Sequence, residues 1–260
     1  AYLGSFLSFA FSGKNVPLLL LAVVLFGVGD AFRSGTHKAM IRTYLGLEGR
    51  EDELTTFYGK TRSWSKLGSA VSVVIGAIWV GWTGDLNGLF FLVLAPYLLD
   101  LLNLATYPKE LDGALTGGVS VSSVFKHLRD VAREVVSSRP LRGLLLESAG
   151  FMGVFRSTKD YLQPILFGIA TVMAVTWFGL ENATETQRVA YLIGPVYFVL
   201  FIVSAFASRL AGKFSKRAGG EDAAGRILWA LFTLSFGFVL VGDLVSGASW
   251  ILVVALAFLY

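Results

Sequence analysis

The chain has 260 residues, 55% of them hydrophobic and only 15% charged, with a formal net charge of +4 and no cysteine. A soluble domain carries roughly 25% charged residues, so the composition excludes a water-soluble globule and selects an all-α, polytopic transmembrane bundle. Without cysteine there is no disulfide, thiolate metal site or thiol nucleophile, and two distant histidines do not make a metal site.

Tyr2–Phe11 is an apolar stub that ends at Ser12-Gly13-Lys14. It is shorter than the ~20 residues a span needs, and no basic region precedes it as in a signal peptide. Trp250–Tyr260 is a second stub. Both ends look cut, so an internal fragment of a longer protein is expected.

Val16 to Tyr44 is the first complete span. At about 100° per residue, Asp30, Ser34, His37 and Ile41 share one side of it, flanked by Arg33 and Lys38. Asp30 lies about 18 Å from Leu18 along the axis, near mid-bilayer. A charge there is costly unless paired or wetted and is functional by default.

Gly46–Lys66 reads as a charged loop whose second half is helical and feeds the span Trp64–Trp82. The tryptophans at its two ends stand about 27 Å apart by helical rise, as in aromatic belts. Gly68, Ser72 and Gly76 recur every fourth residue, a small-residue seam for close packing. A turn at 83–87 leads to the span Gly88–Tyr107, where Asp100 and Asn103 share a face near the end and suit snorkelling or capping.

Lys109–Arg142 is the longest hydrophilic stretch. Within it Val121, Val124, Phe125, Leu128, Val131, Ala132 and Val135 follow helical spacing, with Lys126, Arg129, Asp130, Arg133 and Glu134 on the other side. This pattern predicts an amphipathic helix for a membrane surface or for packing beneath the bundle; such basic helices also serve as targets of partner proteins.

Leu141–Phe167 is the next span, apolar first and polar later. Arg156, Asp160 and Gln163 share a face, Lys159 adjoins them, and Glu147 lies about 180° from Arg156. Val189–Ser208 and Ile227–Leu244 complete the set. Charge fixes the count: the stretches 42–66, 109–142 and 209–226 hold five, six and five Lys/Arg, sixteen of the 22. These belong on the cytoplasmic side. That parity allows two crossings between Arg142 and Arg209, so Ile165–Leu180 is expected at the outer interface. Six complete spans and two truncated ones result.

Several segments carry a family resemblance. Gly29-Asp30-Ala31-Phe32-Arg33-Ser34-Gly35-Thr36-His37-Lys38-Ala39 resembles the fourth helix of prokaryotic major facilitator superfamily transporters. Tyr58-Gly59-Lys60-Thr61-Arg62-Ser63-Trp64-Ser65-Lys66-Leu67-Gly68-Ser69-Ala70 resembles the start of the fifth. Tyr107-Pro108-Lys109-Glu110-Leu111-Asp112 resembles the end of the sixth, Lys159-Asp160-Tyr161-Leu162-Gln163-Pro164 the seventh, and Ala207-Ser208-Arg209 the end of the eighth. The loop signature after the eighth helix is similar only at Arg209, Gly212, Lys213 and Arg217, and the antiporter motif of the fourth only at Arg33.

The resemblance implies a two-half architecture running from the third helix into the tenth. Residues 1–108 would be part of the N-terminal half, 109–140 the cytoplasmic linker, and 141–260 part of the C-terminal half. It implies a secondary active transporter in the cell membrane that moves a small molecule by alternating access with a coupling ion, a proton; a monomer is expected, with the oligomeric state left open. Asp30 would be the protonatable group and Arg33 its partner, His37 would extend the relay, and Ser34 would line the same substrate and proton pathway. Glu147, Arg156, Lys159, Asp160 and Gln163 would form the second cluster. Asp30–Arg33 could instead be a static pair between helices, and the whole chain a receptor or assembly factor on the same scaffold. No cofactor, no nucleic-acid partner and no enzymatic activity are expected, since the basic residues follow topology and no Gly-x-Ser-x-Gly elbow occurs.

Overall fold

The structure, a computed structural model, describes residues 1–112, 121–177 and 179–244. Among these the chain is helical, with no strand: α1 (Tyr2–Ser12), α2 (Val16–Leu47), α3 (Leu54–Thr83), α4 (Gly88–Ala105), α5 (Val121–Ser137), α6 (Arg139–Thr176), α7 (Glu185–Ala218) and α8 (Glu221–Leu244). Short 3-10 turns occupy Glu51–Glu53 and Lys109–Asp112. Four helical segments, the first, second and fourth being α2, α3 with its preceding 3-10 turn, and α7, and the third α4, are long and apolar enough to cross a membrane. The stub Trp250–Tyr260 lies outside the described residues.

Which side chains are buried identifies the solvent. Many large apolar groups face outward: Trp82 is 85% exposed, Phe32 77% and Trp64 69%. Small residues such as Ser5, Ala22, Ser63, Ala70 and Ala205 are buried, beside a few larger ones such as Leu45, Leu162 and Phe232. Water would drive the opposite sorting. In lipid, outward apolar surface costs nothing, and helices associate where small residues let backbones approach. The chain is therefore a membrane protein.

The residues fall into two compact units. The first holds Ala1–Asp112 and Phe167–Gly225, the second Gly113–Leu166 and Arg226–Tyr260. In the first, α1 and α2 form an antiparallel hairpin. Gly13 turns the chain with φ of 48°. Asn15 then caps α2 by accepting from the Leu18 amide at 3.2 Å, with Pro17 in the first turn, where its missing N–H is harmless. The Ser5 hydroxyl donates to the Ala22 carbonyl at 2.8 Å across the hairpin. On its other side α1 meets α4, with Phe9 and Phe90 stacked at 5.3 Å and Phe11 edge-on to Phe91 at 5.5 Å.

The most extensive pairing in this unit is between α3 and α7, which run antiparallel. Four glycines set the approach. A Cβ on Gly59 would lie 2.5 Å from the Ser208 carbonyl oxygen, one on Gly194 2.7 Å from the Ala77 Cβ, and one on Gly81 2.8 Å from the Tyr191 ring. At Gly212 a Cβ would overlap Thr56. This corrects the expected seam. A Cβ on Gly68 meets nothing within 4 Å, and one on Gly76 only Leu89 at 3.7 Å. The packed face is Gly59, Ser63, Ala70, Ala77 and Gly81, roughly half a turn round from Gly68, Ser72 and Gly76. Both faces carry small residues, and spacing alone does not say which one has a partner.

Two of the terminal carbonyls of α3, those of Val80 and Gly81, have partners. Gly84 takes a left-handed conformation at φ of 69° and donates to the Val80 carbonyl. The orphan carbonyl of Gly81 accepts from Gln187 Nε2 at 3.0 Å and from the Tyr191 hydroxyl at 2.9 Å. Gln187 also completes a capping box with Thr184 at the start of α7, so one side chain serves two helix termini. In the turn to α4, the Asp85 carboxylate accepts from the amides of Asn87 and Gly88 at 2.8 and 3.1 Å. Trp79 Nε1 donates to the Asp85 carbonyl at 3.1 Å.

In the second unit, Phe151 of α6 packs edge-on to Trp229 of α8 at 5.2 Å and lies 5.2 Å from Phe232. Leu162 and Leu166 of α6 are buried. The expected break between a span ending at Phe167 and a separate segment Ile165–Leu180 does not occur. α6 continues through Pro164 to Thr176, because a proline removes one helical hydrogen bond without forcing a stop. At 38 residues it is about 57 Å long, well beyond the ~30 Å hydrocarbon core.

Gly59→Val should lower the midpoint of thermal unfolding in detergent, at a cost of about 1–3 kcal/mol from overpacking against the Ser208 backbone. Gly68→Ala, with open space around it, should leave the midpoint unchanged or raise it. Equal losses in both variants would mean that α3 does not pack by this face.

Candidate functional site

Asp30 lies in α2 where α1 and α4 both come close. Gly29 beside it lets the Tyr2 ring lie against the helix: a Cβ there would stand 3.0 Å from the ring. The Tyr2 hydroxyl then donates to Asp30 Oδ1 at 3.1 Å. The ring is held by Phe26, edge-on at 5.4 Å, by Phe6, stacked at 6.2 Å, and by Tyr97 at 4.9 Å. Tyr97 also touches Phe6, at 4.9 Å. The result is a carboxylate, half-buried, at the rim of a four-ring aromatic cluster.

Arg33 does not pair with Asp30 as expected. No ion pair within 4.0 Å joins the two among the described residues. The Arg33 guanidinium lies over the Tyr2 ring, 5.8 Å from its centroid. Helical spacing placed the two residues on neighbouring positions correctly, but the long arginine side chain takes the ring face, a cation–π arrangement. Tyr2 therefore mediates between the two charges, accepting the cation on its face and donating its proton to the carboxylate. His37 follows two turns along the same face and is exposed. The side chain of Ser34 lies outside the described residues.

The second cluster belongs to the other compact unit. Glu147, Arg156, Asp160 and Gln163 are exposed on α6, and the side chain of Lys159 lies outside the described residues. Because α6 is helical across this whole stretch, Glu147 and Arg156, nine residues apart, keep to opposite sides of it. Among the described residues no group of three or more His, Cys, Asp or Glu is arranged to hold a metal ion.

Sequence reading missed Tyr2 and Tyr97. Both sit in apolar runs and look like lipid-facing aromatics. The one available signal was the Gly29-Asp30 pair, since a glycine next to a mid-span carboxylate leaves room for a ring to reach it. Two further cations find rings: Lys38 Nζ lies 5.6 Å from the Tyr58 centroid and Lys66 Nζ 5.3 Å from that of Phe201.

Ahead of the apolar part of α3, the exposed turn between α2 and α3 is organised by Arg50. Its guanidinium donates to Glu53 Oε1 and Oε2 at 3.2 and 2.8 Å and to Glu48 Oε2 at 3.3 Å. Hydrogen bonding and charge from Arg50 hold the Glu53 carboxyl below its usual range.

Searches of protein-family models, curated proteins and solved structures found no match to this chain.

Tyr2→Phe keeps the ring and removes the hydroxyl, so it should cost about 0.5–1.5 kcal/mol of stability. Tyr2→Ala also removes the aromatic contacts and should cost distinctly more; thermal unfolding of the two variants in detergent checks the order. The depressed Glu53 carboxyl contributes order to its turn above the ordinary carboxylate pKa, and this contribution is lost as pH falls through the lower folded-state value. A carboxyl-carbon NMR titration should place the Glu53 midpoint below that of a free glutamate, and Arg50→Gln should return it to the ordinary range.

Proposed function

We propose that the chain is part of a secondary active transporter of the major facilitator type. It moves a small molecule across the cell membrane by alternating access, with a proton as the coupling ion. The observation that carries this reading is Asp30: a carboxylate in the middle of an apolar span, half-buried, held by a phenol instead of a cation. A phenol can hold either form of the group, donating to the carboxylate and accepting from the carboxylic acid. Protonation would thus remove the charge beside Arg33 while preserving the Tyr2 contact, and would change what the site attracts.

Two features support the arrangement of the spans. The α3·α7 pair joins a helix of the expected first half to one of the second. The same pair brings two basic stretches to one end, where Thr55 donates to Glu221 and Thr56 meets Gly212. At the other end stand the 83–88 turn and the Thr184 cap, with few basic residues. This matches cytoplasmic placement of 42–66 and 209–226. Trp64 and Trp82, both facing outward and about 27 Å apart along α3, fit the two interfaces of one bilayer. Six complete spans remain part of this proposal.

The test is the full-length protein in liposomes with an interior pH dye and a panel of small solutes. Substrate-dependent proton flux, abolished in Asp30→Asn while folding is intact, is the expected result. Normal coupling in that variant would sink the assignment of Asp30. Solute binding without flux would replace transport by the receptor reading.

A further inference from the structure

Among the described residues, helix α5 leaves most of its apolar face uncovered. Phe125 is 69% exposed, Val136 66% and Leu128 58%, and Val131 is also exposed. On a helical projection these residues span an arc of about 140°. The charges outside that arc are sorted by sign. Arg129, Arg133 and Lys126 stand along one border of it, about 20–80° from Val136. Asp130 and Glu134 stand further round, Asp130 almost opposite the middle of the apolar arc. All five are exposed.

A helix covered by another part of the protein has no need of this order. A helix lying in a lipid interface does: its apolar arc enters the acyl boundary, cations beside the arc reach the headgroups, and acids point to water. Connectivity adds a constraint. α5 is tied to the membrane-crossing α4 on one side and, through Ser138 alone, to α6 on the other. Arg142 of α6 donates back to the Val136 carbonyl at 3.1 Å, fixing that corner.

We infer that α5 lies on the membrane surface and takes anionic lipid headgroups along its Lys126–Arg129–Arg133 border. This rests on the chain being membrane-inserted and does not depend on transport. Each basic residue near an anionic leaflet adds attraction of about a factor of five in population. Two of them therefore shift docking by on the order of tenfold or more.

Because the chain has no cysteine, single-cysteine variants give unique labels. Nitroxides on Val136→Cys and Glu134→Cys would be compared in nanodiscs of zwitterionic lipid with and without phosphatidylglycerol. With phosphatidylglycerol, the Val136 label should collide with oxygen in preference to a water-soluble nickel chelate, and the Glu134 label should do the reverse. Arg129→Gln with Arg133→Gln, or high salt, should cut the docked-to-undocked ratio on the order of tenfold. A Val136 label exposed to the nickel chelate in both lipids overturns the inference. So does a Val136 label shielded equally with and without anionic lipid, and so does one shielded in detergent from both reagents, which would mean a protein surface covers α5. Since flux is not measured, failure here leaves the transport reading standing, and failure of transport leaves this one.

Discussion

Everything in the first unit depends on how closely α3 and α7 approach. Lipid tails are as apolar as leucine, so apolar area gives two helices in a bilayer no reason to meet. What remains is dispersion at short range and hydrogen bonds that lipid does not offer. Gly59, Gly81, Gly194 and Gly212 supply the first, each at a point where one added carbon would collide with the partner. Gln187 and Tyr191 supply the second, both on the Gly81 carbonyl. Contacts near both ends of α3 therefore hold it against α7.

The same economy governs polar groups elsewhere. Ser5 gives its hydroxyl to a carbonyl of α2, Ser72 and Thr83 return theirs to their own helix, and Asp85 closes the turn before α4. Against this background Asp30 stands out. Its single phenolic partner leaves it less constrained than the carboxylates of the surface turns, where Glu53 receives two hydrogen bonds from Arg50.

Much of the fold was legible because composition and hydropathy act locally. Runs of apolar residues gave α2 and α4 within a few positions and the apolar parts of α3 and α7, whose polar ends run further, and 3.6-residue spacing gave α5. Errors arose where a partner decides. Gly68, Ser72 and Gly76 have the same spacing as the true interface, and only the position of α7 separates them. α6 is cut short in the sequence reading because charge parity places Ile165–Leu180 at the outer interface as a separate segment, whereas the helix runs on to Thr176. The Asp30–Arg33 arrangement was half legible. Spacing placed the two charges as neighbours, but the ring between them comes from α1, 28 residues before Asp30 in the chain, and no local pattern announces it.

The α3·α7 pair also sets an order of events during synthesis. Gln187 follows Gly81 by 106 residues, and a ribosome adding about 5–20 residues per second takes roughly 5–20 s to cover that distance. For that interval α3 sits in the bilayer with its glycine face bare and the Gly81 carbonyl without its two donors. Either lipid and water fill in, or another membrane protein shields that face until α7 arrives. The glycines that make the finished contact tight are what leave the unfinished one exposed.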